Sequence, residues 1–144
     1  MSNRRSNSSN SIFTSMTLST IPSSLSSAFD ALDDDLKLPV EMLMSDSRDD
    51  RLVAVVNLQH LCDEESVPFL IHALSDDSDD VVFTAVTSLW EIANQTAVLP
   101  LIDCLSSTFA ERIRLEALNA LKELVNQDHL LALLDQLVKS DVAL

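Results

Sequence analysis

Glycine is absent from this 144-residue sequence, and the absence bears on every helix end. Helices commonly stop on a residue in the left-handed conformation, which glycine adopts without a steric penalty. Asn94, Asn126 and the Asp runs are therefore expected to supply the turn chemistry, because Asn and Asp tolerate turn geometry better than other residues. Tyrosine is also absent, and aromatic residues make up only 4% of the chain. Together with the lack of strand-like alternation, this disfavours an all-β fold. The two cysteines, Cys62 and Cys104, are too few for a disulfide framework. Each lies beside an apolar stripe, where a free thiol serves as a small packing residue. No apolar run approaches the roughly 20 residues that span a bilayer, so the expected setting is cytoplasmic.

Basic residues are scarce as well. Nine Lys and Arg face 23 Asp and Glu, for a net charge of −14. Arg4 and Arg5 stand in an acid-free stretch over residues 1–29, which leaves −16 on the remainder. Nucleic-acid binding relies on Lys and Arg neutralising phosphates, so this body should repel nucleic acid and anionic membranes. A protein partner with a basic or neutral surface suits it better.

What the sequence does contain is a repeat. Val67, Leu70, Ile71 and Leu74 return as Val98, Leu101, Ile102 and Leu105, and again as Leu130, Leu133, Leu134 and Leu137. A more degenerate first copy is Leu36, Pro39, Val40 and Leu43. Each set has the i, i+3, i+4, i+7 spacing of one helical stripe. Between them runs a second element: Ala54, Leu58 and Leu61, then Ala85, Leu89 and Ile92, then Ala117, Leu121 and Leu124. Both elements recur at 31 or 32 residues. Helical pairs repeated at this length predict an all-α fold, an α-solenoid of about three and a half hairpins, in which each pair buries its apolar face only against its neighbours. The predicted repeats are 22–44, 45–74, 75–105 and 106–139, within a solenoid domain spanning 22–144. Predicted helices cover 22–33, 37–44, 49–62, 66–74, 79–93, 97–105, 110–125 and 128–139. Pro68 and Pro100 fall near helix starts, where a missing N–H costs little.

Residues 1–21 are of a different kind. Ser recurs throughout, with Asn3, Asn7 and Asn10 around the Arg pair. Such a composition cannot build a core, and a disordered tail is expected.

No nucleophile, base and orienting group assemble from the sequence, and neither GxSxG, HExxH, a phosphate loop nor CxxC occurs. The acidic runs Asp46 to Asp50, Asp63 to Glu65 and Asp76 to Asp80 fall between helices, where they are expected to cap helix N-termini. An EF-hand counted from Asp76 would place Val81 where Gly is needed and Thr87 where Glu is needed, so calcium is not expected. No metal or cofactor is expected. One register position is polar in every repeat: Glu41, His72, Asp103 and Asp135 form a ladder along the second helices. Those helices usually line the concave groove of a helical-pair solenoid. The ladder and the single Trp90 are the candidate partner-binding residues, because Trp is enriched at interface hot spots. Beyond Lys139 no further repeat follows to cover the last second helix, so self-association through the C-terminal repeat is also expected.

The repeats share a pattern of Leu-x-Asp, a loop, then [Val/Ile]-Arg-x-x-Ala-x-x-x-Leu-x-x-[Ile/Leu]. It is carried by Leu74, Asp76, Val81, Ala85, Leu89 and Ile92, by Ile113, Arg114, Ala117, Leu121 and Leu124, and by Arg51 and Ala54. This resembles HEAT repeats over residues 36–139, specifically the short phycobilisome-lyase type of cyanobacterial bilin lyase subunits and phycobilisome degradation proteins. Val82 replaces the repeat Arg, and Gln59, Trp90 and Lys122 stand where that type commonly has Gly. The resemblance implies a non-catalytic scaffold or adaptor in phycobilisome or photosystem biology. The alternative it implies is a subunit of a bilin lyase, or a bilin-handling chaperone acting on phycobiliproteins. Di-iron relatives carry His-Glu dyads, and no His here is followed by Glu.

Overall fold

The structure, a computed structural model, describes residues 21–125 together with Leu131, Asp135, Val138 and Lys139. Of the predicted tail over 1–21, residues 1–20 lie outside the described residues, as does most of the predicted last helix, 128–139, whereas Ile21 is partly buried against the core and so belongs to the folded body. Among those described, every regular element is helical. A short 3-10 turn, Ser23–Leu25, leads into α1 (Ser26–Asp30), followed by α2 (Asp34–Leu43) and α3 (Arg48–Leu61). Then come α4 (Val67–Ala73), α5 (Asp79–Ile92), α6 (Val98–Asp103) and α7 (Glu111–Leu124). The architecture is the α-solenoid that the repeat pattern requires.

The first helices α3, α5 and α7 stack in register, while α2, α4 and α6 each pack chiefly on the first helix that follows. The cause is the stripe on each element. Ala54 and Leu58, Ala85 and Leu89, and Ala117 and Leu121 are buried at equivalent positions, as are Val67, Leu70, Val98 and Leu101 on the second helices. Small Ala at the first position of each stripe lets neighbouring backbones approach. Two predicted stripe residues are not in the core: Leu61 and Leu105 are exposed. Leu61 is the last residue of α3. Leu105 follows the end of α6, in a connection longer than the one after α4, and Phe109 from that connection packs against the core instead.

The helix ends answer the missing glycine in an unexpected way. Cys62 and Ala93, at equivalent positions after α3 and α5, take the left-handed conformation with φ of 49° and 59°. The expected turn residues act one position later. Asp63 and Asn94 each accept the backbone N–H two residues on, from Glu65 and Thr96, and so start the 3-10 turns Glu64–Ser66 and Gln95–Ala97 that lead into α4 and α6. Cys62 is exposed rather than a packing residue, whereas Cys104 is buried as expected. After α7 the chain leaves through Val125 at φ −95°, so the third hairpin turns differently.

A left-handed residue with a Cβ costs about 1–2 kcal/mol, part of which glycine would return through its larger unfolded-state entropy. Ala93→Gly and Cys62→Gly should therefore each raise stability by about 0.5–1 kcal/mol, read from thermal melts, whereas Val125→Gly should not. Leu70→Ala and Leu101→Ala, at fully buried positions, should each cost about 2–5 kcal/mol in denaturant titrations.

Candidate protein-binding surface

Arg51 organises the loops on the second-helix side of the solenoid. Its Nε and Nη2 donate to the two oxygens of Asp76, at 2.7 and 3.2 Å, in a bidentate pair. A further Nη2 bond reaches Asp77 at 2.9 Å, and Nη1 donates to the carbonyls of Ser45 and Asp46, both at 3.0 Å. All five guanidinium donors are thus used, and one side chain ties the loop before α3 to the loop after α4. Burial pushes the Asp76 carboxyl up, but the Arg51 bonds and the Ser78 N–H outweigh it and hold it below the usual aspartate range. The Arg51 pKa is raised, first by its bond to Asp76 and then by the Asp76, Asp77 and Asp46 charges, against the opposing effect of burial.

Arg114 was the matching position in the third hairpin, and here the repeat fails. Its Nε is buried with no hydrogen-bond partner among the described residues. Its register equivalents for the Asp76 loop fall around Lys139, where no Asp stands in the same place. The acidic capping expectation is also only partly met. Ser47 accepts the Asp50 N–H at the start of α3, while Ser78 makes no such cap on α5 and its hydroxyl instead accepts from Arg48 Nε.

Around Arg51 lies an open cleft of about 450 Å³, between the C-terminal ends of α2 and α4. Its walls include Leu43, Met44, Asp46, His72, Asp76 and Asp77. His72 is the one ladder residue found there, and it is exposed. Asp103, the last residue of α6, is exposed at the equivalent point one repeat on. Glu41 departs from the ladder because it is buried in the last turn of α2. Asp135 is a helical, exposed residue paired with Lys139 at 2.8 Å. Trp90 stands elsewhere. It is 40% exposed, on the flank of α5 opposite the stripe of Val81, Ala85 and Ser88, so it does not join the ladder on one surface. The sequence reading cast Asp46 and Asp77 as caps and missed them as cleft walls. Their signal was the loop Arg, whose carbonyl and carboxylate partners converge from two hairpins.

The outer side of the first-helix layer carries its own register pairs. Asp80 binds Arg48 of the preceding hairpin and Arg112 of the following one, the latter at 2.5 Å, so equivalent positions alternate in sign along three repeats. Arg112 and then Arg48 hold the Asp80 carboxyl below its usual range. Gln59 donates to Glu91, again 32 residues on, and Arg112 lies 5.3 Å over the Phe83 ring. Of the two thiols, burial and then the Asp103 charge push Cys104 up to about 11, leaving it neutral.

A sequence profile of HEAT repeats matches residues 36–122 and 68–143, which together cover most of the chain. The chain belongs to the HEAT-repeat family. No curated protein matches it in sequence. HEAT repeats generally mediate protein–protein interaction, which agrees with stacked hairpins presenting a loop-lined acidic cleft. No helix among the described residues is long and apolar enough to cross a membrane, and no group of three or more potential metal ligands occurs among them.

The Arg51 clamp and the unpartnered Nε of Arg114 make opposite predictions for two arginines in the same register. Arg51→Met should cost about 2–4 kcal/mol, because it strands the Asp76 carboxylate in a half-buried site. Arg114→Met should change stability by less than about 1 kcal/mol, because its buried Nε has no hydrogen bond to lose among the described residues. Asp76 has a lowered folded-state pKa, so its contribution is present above the unfolded value of about 3.9 and lost as the pH falls through the folded value. Urea midpoints measured across that acid range should fall less steeply in Asp76→Asn than in the parent chain.

Proposed function

We propose that this HEAT-repeat protein is a non-catalytic scaffold whose acidic second-helix side receives a basic surface of a protein partner. The observation that carries the reading is the cleft itself. Three aspartates, Asp46, Asp76 and Asp77, surround one arginine whose donors are all engaged, beside the C-terminal ends of two helices. Helix C-termini carry partial negative charge, and acids placed there cost about 0.3–1 kcal/mol each. Asp103 repeats that unfavourable placement at the end of α6. A Lys or Arg from a partner relieves the cost at both points, while the −16 body steers it in. His72 and Asp103 form the contact line in this reading, with Asp135 continuing it by register. Glu41, buried in the last turn of α2, stays outside that line, and Trp90 offers a separate anchor on the opposite side.

The phycobilisome-lyase-type resemblance makes an apo-phycobiliprotein the first partner to try. Titration of the immobilised chain with that protein should give binding that weakens as salt rises, since exposed charges are screened beyond about 10 Å at 0.1 M. Asp46→Lys and Asp103→Lys should each slow association more than they speed dissociation. Adding phycocyanobilin should leave the chain itself unpigmented. Pigment bound to the chain, or transferred to the apoprotein only in its presence, would replace the scaffold with the bilin lyase or chaperone. Binding indifferent to salt and to both reversals, but lost in Trp90→Ala, would move the site to the first-helix side.

A further inference from the structure

The exposed face of α7 carries a pattern that no interior repeat has. Leu118 is 41% exposed, whereas Val55 and Val86, its equivalents on α3 and α5, are fully buried because another first helix stacks beside them. Leu115, one turn earlier, is 55% exposed. Glu111 and Lys122 extend this pair in both directions, and the four fall within about one sixth of the helix circumference. Both charged residues are exposed, and neither forms an ion pair among the described residues. The buried Nε of Arg114, with no partner among the described residues, lies on the adjoining flank.

The order acid, Leu, Leu, base has a specific consequence when two such helices meet. Run antiparallel, Glu111 faces the second copy's Lys122, Leu115 faces the second copy's Leu118, and both contacts recur across the two-fold axis. Run parallel, like charge faces like charge. The stripe is therefore self-complementary in one orientation, as an isologous interface must be. The opposite end of the solenoid is closed differently: α1 and the turn after it bring Phe29 and Leu32 into the core, so α7 finds no matching open end for head-to-tail stacking.

We propose that α7 is a homodimer interface, in which Glu111, Leu115, Leu118 and Lys122 pair antiparallel with the same residues of a second copy. The contact is one helix face wide and the net charge is −14 per copy, so the dimer belongs to the weak, reversible class that buries less than about 1,200 Å². It lies on the first-helix layer and is independent of the acidic cleft.

Sedimentation of the full chain over a wide concentration range tests this. The expected result is a reversible monomer–dimer equilibrium that Leu118→Asp abolishes. Glu111→Lys and Lys122→Glu should each weaken self-association about tenfold or more, by placing like charges across the axis. An equimolar mixture of those two variants should form a heterodimer close to the parent affinity, since each supplies the charge the other needs. Circular dichroism of the three variants, unchanged in helix content, separates this from unfolding. A strict monomer at every concentration, a dimer that survives Leu118→Asp, or a mixture no tighter than its components would each overturn the proposal.

Discussion

The constraint on which the structure depends is that no hairpin in it can bury its own apolar stripe. α4 and α6 are too short to form a core with one partner helix, and each spends its buried residues on the first helix of the next repeat. Stability then resides in the junctions between hairpins rather than in the hairpins, as expected for a quasi-one-dimensional fold. The polar contacts follow the same rule. Arg51 to Asp76, Arg48 to Asp80 to Arg112, and Gln59 to Glu91 all join one repeat to the next, and three of these links span 32 residues. The exposed pairs among them contribute little individually, whereas the bidentate and largely buried Arg51 pair is the one with energetic weight.

Function follows from what such a stack leaves open. Loops between hairpins collect on one edge, and here they are loaded with aspartate because helix starts accept acids readily. Asp46, Asp76 and Asp77, in the loops just before α3 and α5, also lie close to the ends of α2 and α4, where acid is disfavoured. The cleft around Arg51 is where these two requirements meet, which makes it a concentrated negative site.

Much of this was legible in the sequence, for a physical reason. The period and the apolar spacing report burial, and burial is what the solenoid is made of, so the boundaries of α3, α5 and α7 could be read to within one residue. What the register could not reveal was where it breaks. Arg114 occupies the place of Arg51 but its Nε has no hydrogen-bond partner among the described residues, Glu41 occupies the place of His72 but is buried, and Leu105 occupies the place of Leu74 but is exposed while Phe109 packs against the core. Each depends on a neighbouring loop length or a missing neighbour, neither of which appears in the stripe itself. The left-handed turns at Cys62 and Ala93 were hidden for another reason: the pattern favours Asn and Asp there, and the geometry placed those residues one step later as caps.

The claim that junctions carry the stability is tested most directly by native-state hydrogen exchange on the dilute chain. α5 is stacked on both sides, by α3 and by α7, whereas α7 has one described first-helix neighbour. The account predicts that α5 amides exchange only with global unfolding, that those of α3 follow closely, and that those of α7 open at distinctly lower free energy. Equal protection across all three helices, or greater protection in α7 than in α5, would contradict it.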